Sequence, residues 1–449
     1  MTTTTTTSTA STPNDAREHE LRQPLLDVAV ARDRILLACT PLSAERCALT
    51  DLALRGEQRR LSSTLRSHRA LPPADNSAMD GYAVGADSLA SSANAPLPRR
   101  VVAASLAGHA AGVAVGAGEV IAITTGAAIP QGAVAVVMRE QCDVQRDDGA
   151  VTINVLPHAG ENIRLRGEDV NVDDVVGSAG DALTPARINL LWSAGHVMVD
   201  VVRAPTVAIL ASGDELREVG HTDVDTDVDT DVGTDDAHVI NSNAWAIAAA
   251  CRRLGCNVRL LGIAADTLQD HVDKMAVDDV DVLITIGGVS VGSHDFVRPA
   301  LQVLGATSSV WKLAMRPGKP LAFGTLPRPR RPVLFFGLPG NPVSSMVTFE
   351  LFVQPALRLL SGTPRAELDA PRERGVLVDS APFKKKRGLA LFARAVHQRR
   401  ADGVVELRTV DRQGSGQMSG LANANALVCF AADEDVVDPG STVSFIALS

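Results

Sequence analysis

The sequence predicts a multidomain α/β plus β protein, with a parallel three-layer α/β domain, an inserted β-rich domain and a small C-terminal β-domain. Three observations carry this. From Pro205 onward, buried-type strands alternate with amphipathic helices, which implies a parallel sheet covered on both faces. Between Leu71 and Val155 the texture is short Val/Ala/Ile runs broken by Gly and Pro, and this reads as β structure. From Pro371 to Ser449, alternating strands with Gly and Asp turns indicate a further small β-domain. The chain has 449 residues. At about 150 residues per domain, roughly three domains are expected.

Taken in order, residues 1–20 form a polar Thr/Ser-rich tail without periodicity, expected to be disordered. Residues 24–38 place apolar side chains at helical spacing, and Pro41-Leu42-Ser43-Ala44-Glu45 opens a second expected helix. The segments 21–65 and 155–204 together form a helical and linker domain, and 66–154 is the β-rich insertion. Residues 205–365 form the α/β domain, and 366–449 the C-terminal β-domain. Within 205–365, TVAILAS, NVRLLGIAA, DVLITIGG and VLFFGLPG read as strands. NAWAIAAACRRLG, TLQDHVDKMAV, DFVRPALQVLG and a long closing segment from Asn341 read as helices. The near-repeat of Asp-Thr-Asp-Val at 221–238 has no Gly-rich frame for calcium and is too short to stack. It reads as a solvated surface insertion.

Composition excludes several classes. Only 3% of residues are aromatic, so stacking platforms for bases or glycans are not the theme. The net charge of −9 is concentrated in the seven Asp of 221–238; the rest is close to neutral and carries no basic stripe for nucleic acid. Six scattered Cys without CxxC spacing read as reduced thiols. The N-terminus lacks the pattern of a secretory signal, and no apolar run reaches the roughly 18 residues of a membrane span. A cytoplasmic protein without nucleic-acid or membrane partners is expected.

Four α/β segments end a strand in a polar or Gly-rich loop, where open parallel sheets bind ligands. They are Ser212-Gly213-Asp214-Glu215, Asp266, Gly287-Gly288-Val289-Ser290-Val291-Gly292 with Asp295, and Pro339-Gly340-Asn341-Pro342. The glycines let backbone N–H groups approach an anion, and Asn341 is placed to cap the helix that Pro342 starts. Each corner alone reads equally well as a tight strand–helix turn, whereas two on one sheet edge favour a phosphate-bearing ligand. Glu215, Asp266 and Asp295 share that edge. Singly, each reads as a solvated loop acid or N-cap; together they call for a cation such as Mg²⁺, which takes one or two carboxylates plus phosphate oxygens. Lys312, Arg316 and Lys319 surround a Pro317-Gly318 turn and suit a compact oxyanion, against the plain alternative of a basic hairpin. Lys384-Lys385-Lys386-Arg387 has no interleaved aromatic or Gly loop and reads as a solvated turn. DNSAMDGYAV at 75–84, Thr124-Thr125-Gly126 and the charged segment 160–169 stand out as polar loops without an assigned role.

DNSAMDGYAV, TTGA, ENIRLRGEDV, SGDEL, ITIGGVSVGSHDF, WKLAMRPGKP and LPGNPVSS, in this order, resemble the molybdopterin molybdenumtransferase family, the MoeA type that includes the E domain of gephyrin. The likeness runs from about residue 25 to the C-terminus. It implies insertion of molybdate into adenylylated molybdopterin with release of AMP, dependent on Mg²⁺, by a homodimer. The adenylyltransferase acting before it is a candidate partner. By the same resemblance Glu215, Asp266 and Asp295 match essential acids and metal candidates, and Asp80 and Thr125 match cleft residues. Arg164 and Asp169 match charges of the RxRGED segment. Lys312 and Lys319 match motif lysines, and Arg394 and Ser415 are candidates for holding molybdate. Arg316 stands where the family pattern has Lys. An adenylyltransferase sharing the α/β domain, or a non-catalytic molybdopterin-binding or scaffold protein, are the competing readings.

Overall fold

The computed structural model describes residues 24–56, 59–144, 149–218, 238–288, 295–368 and 373–448. The Asp-rich stretch 221–237, Ser290 and Gly292 lie outside these residues. The chain divides into two compact units: Arg46–Gly56 with Leu61–Val201, and the remainder.

In the first of these, six strands form one sheet in the order Ala135–Met138, Gly81–Val84, Glu119–Ile123, Leu97–Ser105, Ala150–Ile153, Cys142–Val144. Its side chains alternate by period two. Tyr82, Val84, Val120 and Val137 enter one cluster, and Ala83, Ile121, Ile123 and Val136 another. A third cluster gathers Leu49, Leu52, Leu61, Leu191 and Val201 under the helices Leu49–Arg55 and Pro185–Ser193. The Pro185 helix is capped by Thr184, whose hydroxyl accepts from the Arg187 amide at 3.2 Å. The helix expected to open at Pro41 begins later, at Leu49; residues 44–48 are extended. Pro41 still marks a boundary, but as the end of the preceding helix rather than the start of the next.

The second unit begins with helix α1 (Val28–Leu37), whose N-cap Asp27 accepts from the Ala29 amide at 2.8 Å. Then follow β1 (Thr206–Ser212), α2 (Ser242–Arg253), β2 (Asn257–Ala264), α3 (Leu268–Met275), β3 (Val282–Ile286) and α4 (Val297–Val303). Next come β4 (Thr307–Lys312), β5 (Pro320–Leu326), β6 (Val333–Leu338) and the long helix α5 (Pro342–Leu360). The sheet order is β2-β1-β3-β6-β5-β4. Alternate residues of the central strands feed two clusters: Val207, Ile209, Val282 and Ile284 pack with α2 and α5, while Ala208, Leu210 and Leu283 pack with α3 and α4. Helix α5 is apolar and long enough to cross a membrane by length alone, but Phe349, Phe352, Val353, Ala356 and Leu357 are buried in the first cluster.

The expected all-parallel sheet is corrected at one edge. β1, β2, β3 and β6 are parallel, but β5 runs antiparallel to β6 and β4 antiparallel to β5. Thr307–Lys312 is too polar to read as a buried strand, and 320–326, though Leu321, Ala322 and Phe323 are buried, opens on Pro and is interrupted by Gly324. The ladder supplies the missing information: a side chain at Gly324 would collide with the Thr307 carbonyl, so glycine is what lets β4 and β5 close.

One buried carboxylate fastens the opposite, N-terminal edge. Asp281, 4% exposed, accepts from Arg203 Nη1 at 2.8 Å and Nη2 at 2.6 Å, and from the Thr206 amide at 2.7 Å. Arg331 pairs with the same carboxylate.

The C-terminal part is a closed barrel. β7 (Glu373–Leu377), β8 (Ala390–Arg399), β9 (Val405–Thr409), β10 (Ala426–Phe430) and β11 (Thr442–Ala447) run in the ring order β8-β9-β7-β11-β10, and β10 pairs back onto β8. Closure removes the exposed edges that an open five-stranded sheet would keep. Ala393 and Ala395 of β8 point into the barrel with Leu377, Leu407, Val428 and Phe445. By the same alternation Phe392 and Arg394 point outward, and Phe392 joins the α/β core.

Candidate active site

Three strand ends of the α/β sheet converge. Gly287 (φ 90°) and Gly288 (φ 63°) follow β3 in a conformation that side chains rarely adopt. Space makes the same demand, since a Cβ at Gly287 would lie 2.7 Å from the Ser212 carbonyl and one at Gly288 2.6 Å from Val297. A Cβ at Gly340, after β6, would sit 3.7 Å from the Gly287 Cα. The two glycine corners expected on one sheet edge are therefore neighbours. Pro339-Gly340-Asn341 leads into α5, and Asn341 occupies the N-cap position without bonding through its side chain. That side chain lines the cleft instead.

The acids sit on the loops after β1, β2 and β3. Glu215 is exposed and its carboxylate folds back over Gly213, where a Cβ would collide with it. Asp266 and Asp295 are half-buried. The Asp266 amide donates to Asp214 Oδ1 at 2.9 Å, which joins two of the loops. Among the described residues no three His, Cys, Asp or Glu are grouped closely enough to hold a metal ion. The donor chemistry thus fits a hard cation held by one or two of these carboxylates and completed by ligand oxygens. It does not form an all-protein cage.

His271, fully buried on α3, ties these loops together from behind. The Thr267 carbonyl, which can only accept, lies 2.9 Å from Nδ1, so that nitrogen carries the proton. In the neutral ring Nε2 then accepts from the Ser212 hydroxyl at 2.9 Å. The ring also lies 5.8 Å from Phe296, next to Asp295. Sequence reading missed His271, because a His on an apolar helix face gives no signal of its bonds. His271→Ala removes one buried and one partly buried hydrogen bond and leaves a cavity. It is expected to cost about 2–4 kcal/mol in urea unfolding.

A cleft of about 550 Å³ continues from Asn341 along the barrel. The basic turn reaches it because Met315–Arg316 pairs with the start of β8, Arg316 opposite Leu391. Gly318 (φ 93°) turns the chain against α5, where a Cβ would lie 2.6 Å from Thr348. Arg316, Pro317, Gly318 and Lys319 all line the cleft, and so do Ser344, Gln413, Gly414 and Ser415. Lys312 does not; it ends β4, where its carbonyl accepts from the Leu26 amide at 2.8 Å. Lys384, Lys385 and Lys386, expected to form a solvated turn, line the cleft as well. Among the described residues no Asp or Glu lines it.

Arg394 forms the floor of the cleft at 1% exposure. Its guanidinium donates to the carbonyls of Gly414 at 3.0 Å and Arg412 at 2.5 Å, and Gln413 brackets its backbone. Among the described residues Nε has no hydrogen-bond partner and no carboxylate pairs with the charge. Burial lowers its pKa from the ordinary guanidinium value. Ser415 is anchored through its carbonyl, which accepts from the Val343 amide at 3.1 Å.

Asp80, Thr125, Arg164 and Asp169 belong to the other unit, which brings its motifs together. Arg164 pairs with Asn76 in a two-stranded ladder, and Asp75 Oδ1 accepts from the Arg166 amide at 2.7 Å. Asp80 Oδ1 accepts from the Thr125 amide at 2.6 Å and its hydroxyl at 3.0 Å. These bonds, with Arg139 adding in the same direction, hold the exposed Asp80 carboxyl below the usual carboxylate range. Arg164 and Asp169 are exposed; the Asp169 amide donates to the Leu71 carbonyl at 3.0 Å. Tyr82, the only tyrosine, is a core residue.

An α/β domain with a glycine-lined strand edge, joined to a β-barrel across a cleft lined by Arg316, Lys319 and Arg394, is a class of architecture that comparison narrows. Three family models match in turn: "MoeA N-terminal region (domain I and II)" over residues 26–195, "Probable molybdopterin binding domain" over 208–359, and "MoeA C-terminal region (domain IV)" over 377–448. A molybdopterin molybdenumtransferase of Haemophilus influenzae is 35% identical over 376 residues, 83% of this chain and 87% of that one. One from a Nostoc species is 33% identical over 394 residues, 86% of each chain. A solved molybdopterin biosynthesis MoeA protein from Pyrococcus horikoshii shares the fold, with a TM-score of 0.74 at 22% identity over 94% of this chain and 99% of that one. The chain belongs to the molybdopterin molybdenumtransferase family.

Proposed function

We propose that this protein inserts molybdate into adenylylated molybdopterin with release of AMP, in a Mg²⁺-dependent reaction. The observation that carries the reading is the cleft beside the Gly287 and Gly340 corners, which among the described residues is lined by no acid and holds Arg394 buried on its floor without a carboxylate partner. A buried cation without a counter-charge is costly unless an anion completes it. Lys319, Arg316 and Ser415, which line the same cleft, would meet the tetrahedral oxyanion together with Arg394. The backbone N–H groups at Gly288 and Gly340 would hold the phosphate of the adenylated ligand, while the Gly287 amide, which donates to the Leu338 carbonyl at 3.0 Å, ties the two corners together. Charge neutralisation and positioning then do most of the catalysis. Glu215, Asp266 or Asp295 would hold the metal, which when bound supplies Lewis-acid polarisation of the adenylate phosphate.

The same reading takes the protein as a cytoplasmic homodimer in which Asp80 and Thr125, with Arg164 and Asp169, serve the reaction from the β-rich unit. It divides the chain at the domain limits expected from sequence. Family membership and the full set of N-terminal, central and C-terminal matches support it over an adenylyltransferase, which needs only the α/β domain.

The test is AMP release from adenylylated molybdopterin with and without molybdate. Release that requires molybdate supports the transferase, ATP consumption without molybdate marks the adenylyltransferase, and ligand binding without turnover marks a scaffold. Glu215→Gln and Asp295→Asn are each expected to raise the Mg²⁺ concentration for half-maximal AMP release about tenfold, as loss of one charged ligand does. An unchanged Mg²⁺ requirement in both would remove these acids from the metal site.

A further inference from the structure

We propose that Lys384 and Lys386 form a capture arm for a tetrahedral dianionic oxyanion at the rim of the cleft, delivering it to the buried Arg394. The inference rests on the reading that molybdate enters this cleft.

The segment is built rather than loose. Phe383 stacks on Phe430 with ring centroids 4.7 Å apart and planes at 20°. Phe383 and Lys384 pair with Val437 and Val436 in a short antiparallel ladder. The Lys385 amide donates to the Asp435 carbonyl at 2.9 Å, and the Gly388 amide to that of Ala432 at 2.7 Å. Lys385 spends its ammonium on its own loop, donating to the Leu389 carbonyl at 3.0 Å, and Arg387 Nε donates to the Asp433 carbonyl at 2.6 Å. Lys384 and Lys386 are left exposed, lining the cleft, with no side-chain hydrogen bond or ion pair among the described residues.

Holding these two charges in one concavity with Arg316, Lys319 and Arg394 is unfavourable in the folded chain by itself, because like charges repel and no acid among the described residues lines the cleft to offset them. The arrangement makes sense for a doubly negative visitor: a cleft of one sign focuses the field and raises the local anion concentration. Lysine suits the rim, as a mobile point charge with three rotatable donors, while the buried guanidinium suits the fixed end point. Free molybdate and the phosphate of the organic substrate share this chemistry. The rim position on flexible stems favours the small, freely diffusing ion.

The test is calorimetric titration of the full chain with molybdate alone, at about 20 and 200 mM salt, where screening lengths differ about threefold. The wild type, the Lys384→Ala/Lys386→Ala double variant and the Lys384→Arg/Lys386→Arg double variant are compared. The alanine pair is expected to weaken molybdate binding about five- to tenfold at low salt and about twofold at high salt, while the arginine pair keeps wild-type affinity. In turnover the change falls mainly on KM for molybdate rather than on kcat. Wild-type affinity in the alanine pair, a loss independent of salt, or no binding of molybdate to the wild type would overturn the proposal. Titration with AMP separates the two sources: a loss for AMP without one for molybdate assigns the lysines to the organic phosphate and overturns it. Lysine-dependent binding in a protein that never releases AMP would uphold the arm and sink the transferase reading; molybdate-dependent AMP release with unchanged KM in the alanine pair would do the reverse.

Discussion

Arg394→Met is expected to lower molybdate-dependent AMP release, at molybdate below saturation, by about 30- to 1000-fold, the equivalent of about 2–4 kcal/mol for losing a buried charged hydrogen-bonding partner. Stability should barely follow. The wild-type side chain is 1% exposed, its Nε is without a hydrogen-bond partner, and no carboxylate among the described residues pairs with it. Methionine removes that desolvation cost and refills much of the volume, although the Gly414 and Arg412 carbonyls each lose a donor. The two effects nearly cancel, so urea unfolding of the variant is expected within about 1 kcal/mol of wild type. A site kept at the expense of stability is where function and folding pull apart. Activity and stability falling together would instead make Arg394 a structural tie between β8 and the 412–414 segment.

Asp281→Ala should behave in the opposite way, with a large loss of stability and no direct effect on the cleft. Asp281 lies at the N-terminal edge of the sheet, whereas the glycine corners follow the C-terminal ends of β1, β3 and β6. Its carboxylate takes both guanidinium nitrogens of Arg203, the Thr206 amide and Arg331, and its backbone bonds Thr206 and Leu334 at 2.8 and 3.0 Å. Removing it strands two cations and one amide where three strands begin. Breaking a buried pair by removing one partner costs about 3–5 kcal/mol, and partial exposure of both arginines reduces this to about 2–4. Urea unfolding of the α/β domain, followed through its tryptophans, measures it. A loss below about 1 kcal/mol would show that the arginines find solvent or other acids at little cost.

Much of the site was legible because its demands are local. Gly287, Gly288 and Gly318 announce themselves in sequence, since backbone conformation and close approach exclude a side chain at each. The strand–helix alternation from Pro205 carries its own period, so β1, β2, β3, β6 and their helices fall where patterning puts them. β4 escaped notice because an edge strand needs no apolar run, and β5 because Pro320 and Gly324 interrupt its apolar stretch. His271 escaped because the value of its ring depends on Ser212, Thr267 and Phe296, which only the fold brings round it.

The α/β and β make-up of the chain, its glycine corners and the family to which it belongs are written in contiguous residues and their order. What the charges do depends on the fold. Lys384 to Lys386 read as a solvated run until barrel closure and the Phe383–Phe430 stack set them over Arg316 and Lys319. Arg394 sits between two alanines on a strand, and nothing local says which face it takes. Ala393 and Ala395 fill the barrel, so Arg394 turns outward against the 412–414 segment and becomes a buried cation. Patterning reports which residues prefer burial, whereas the electrostatics of a site depend on which charges, distant in sequence, share one low-dielectric concavity.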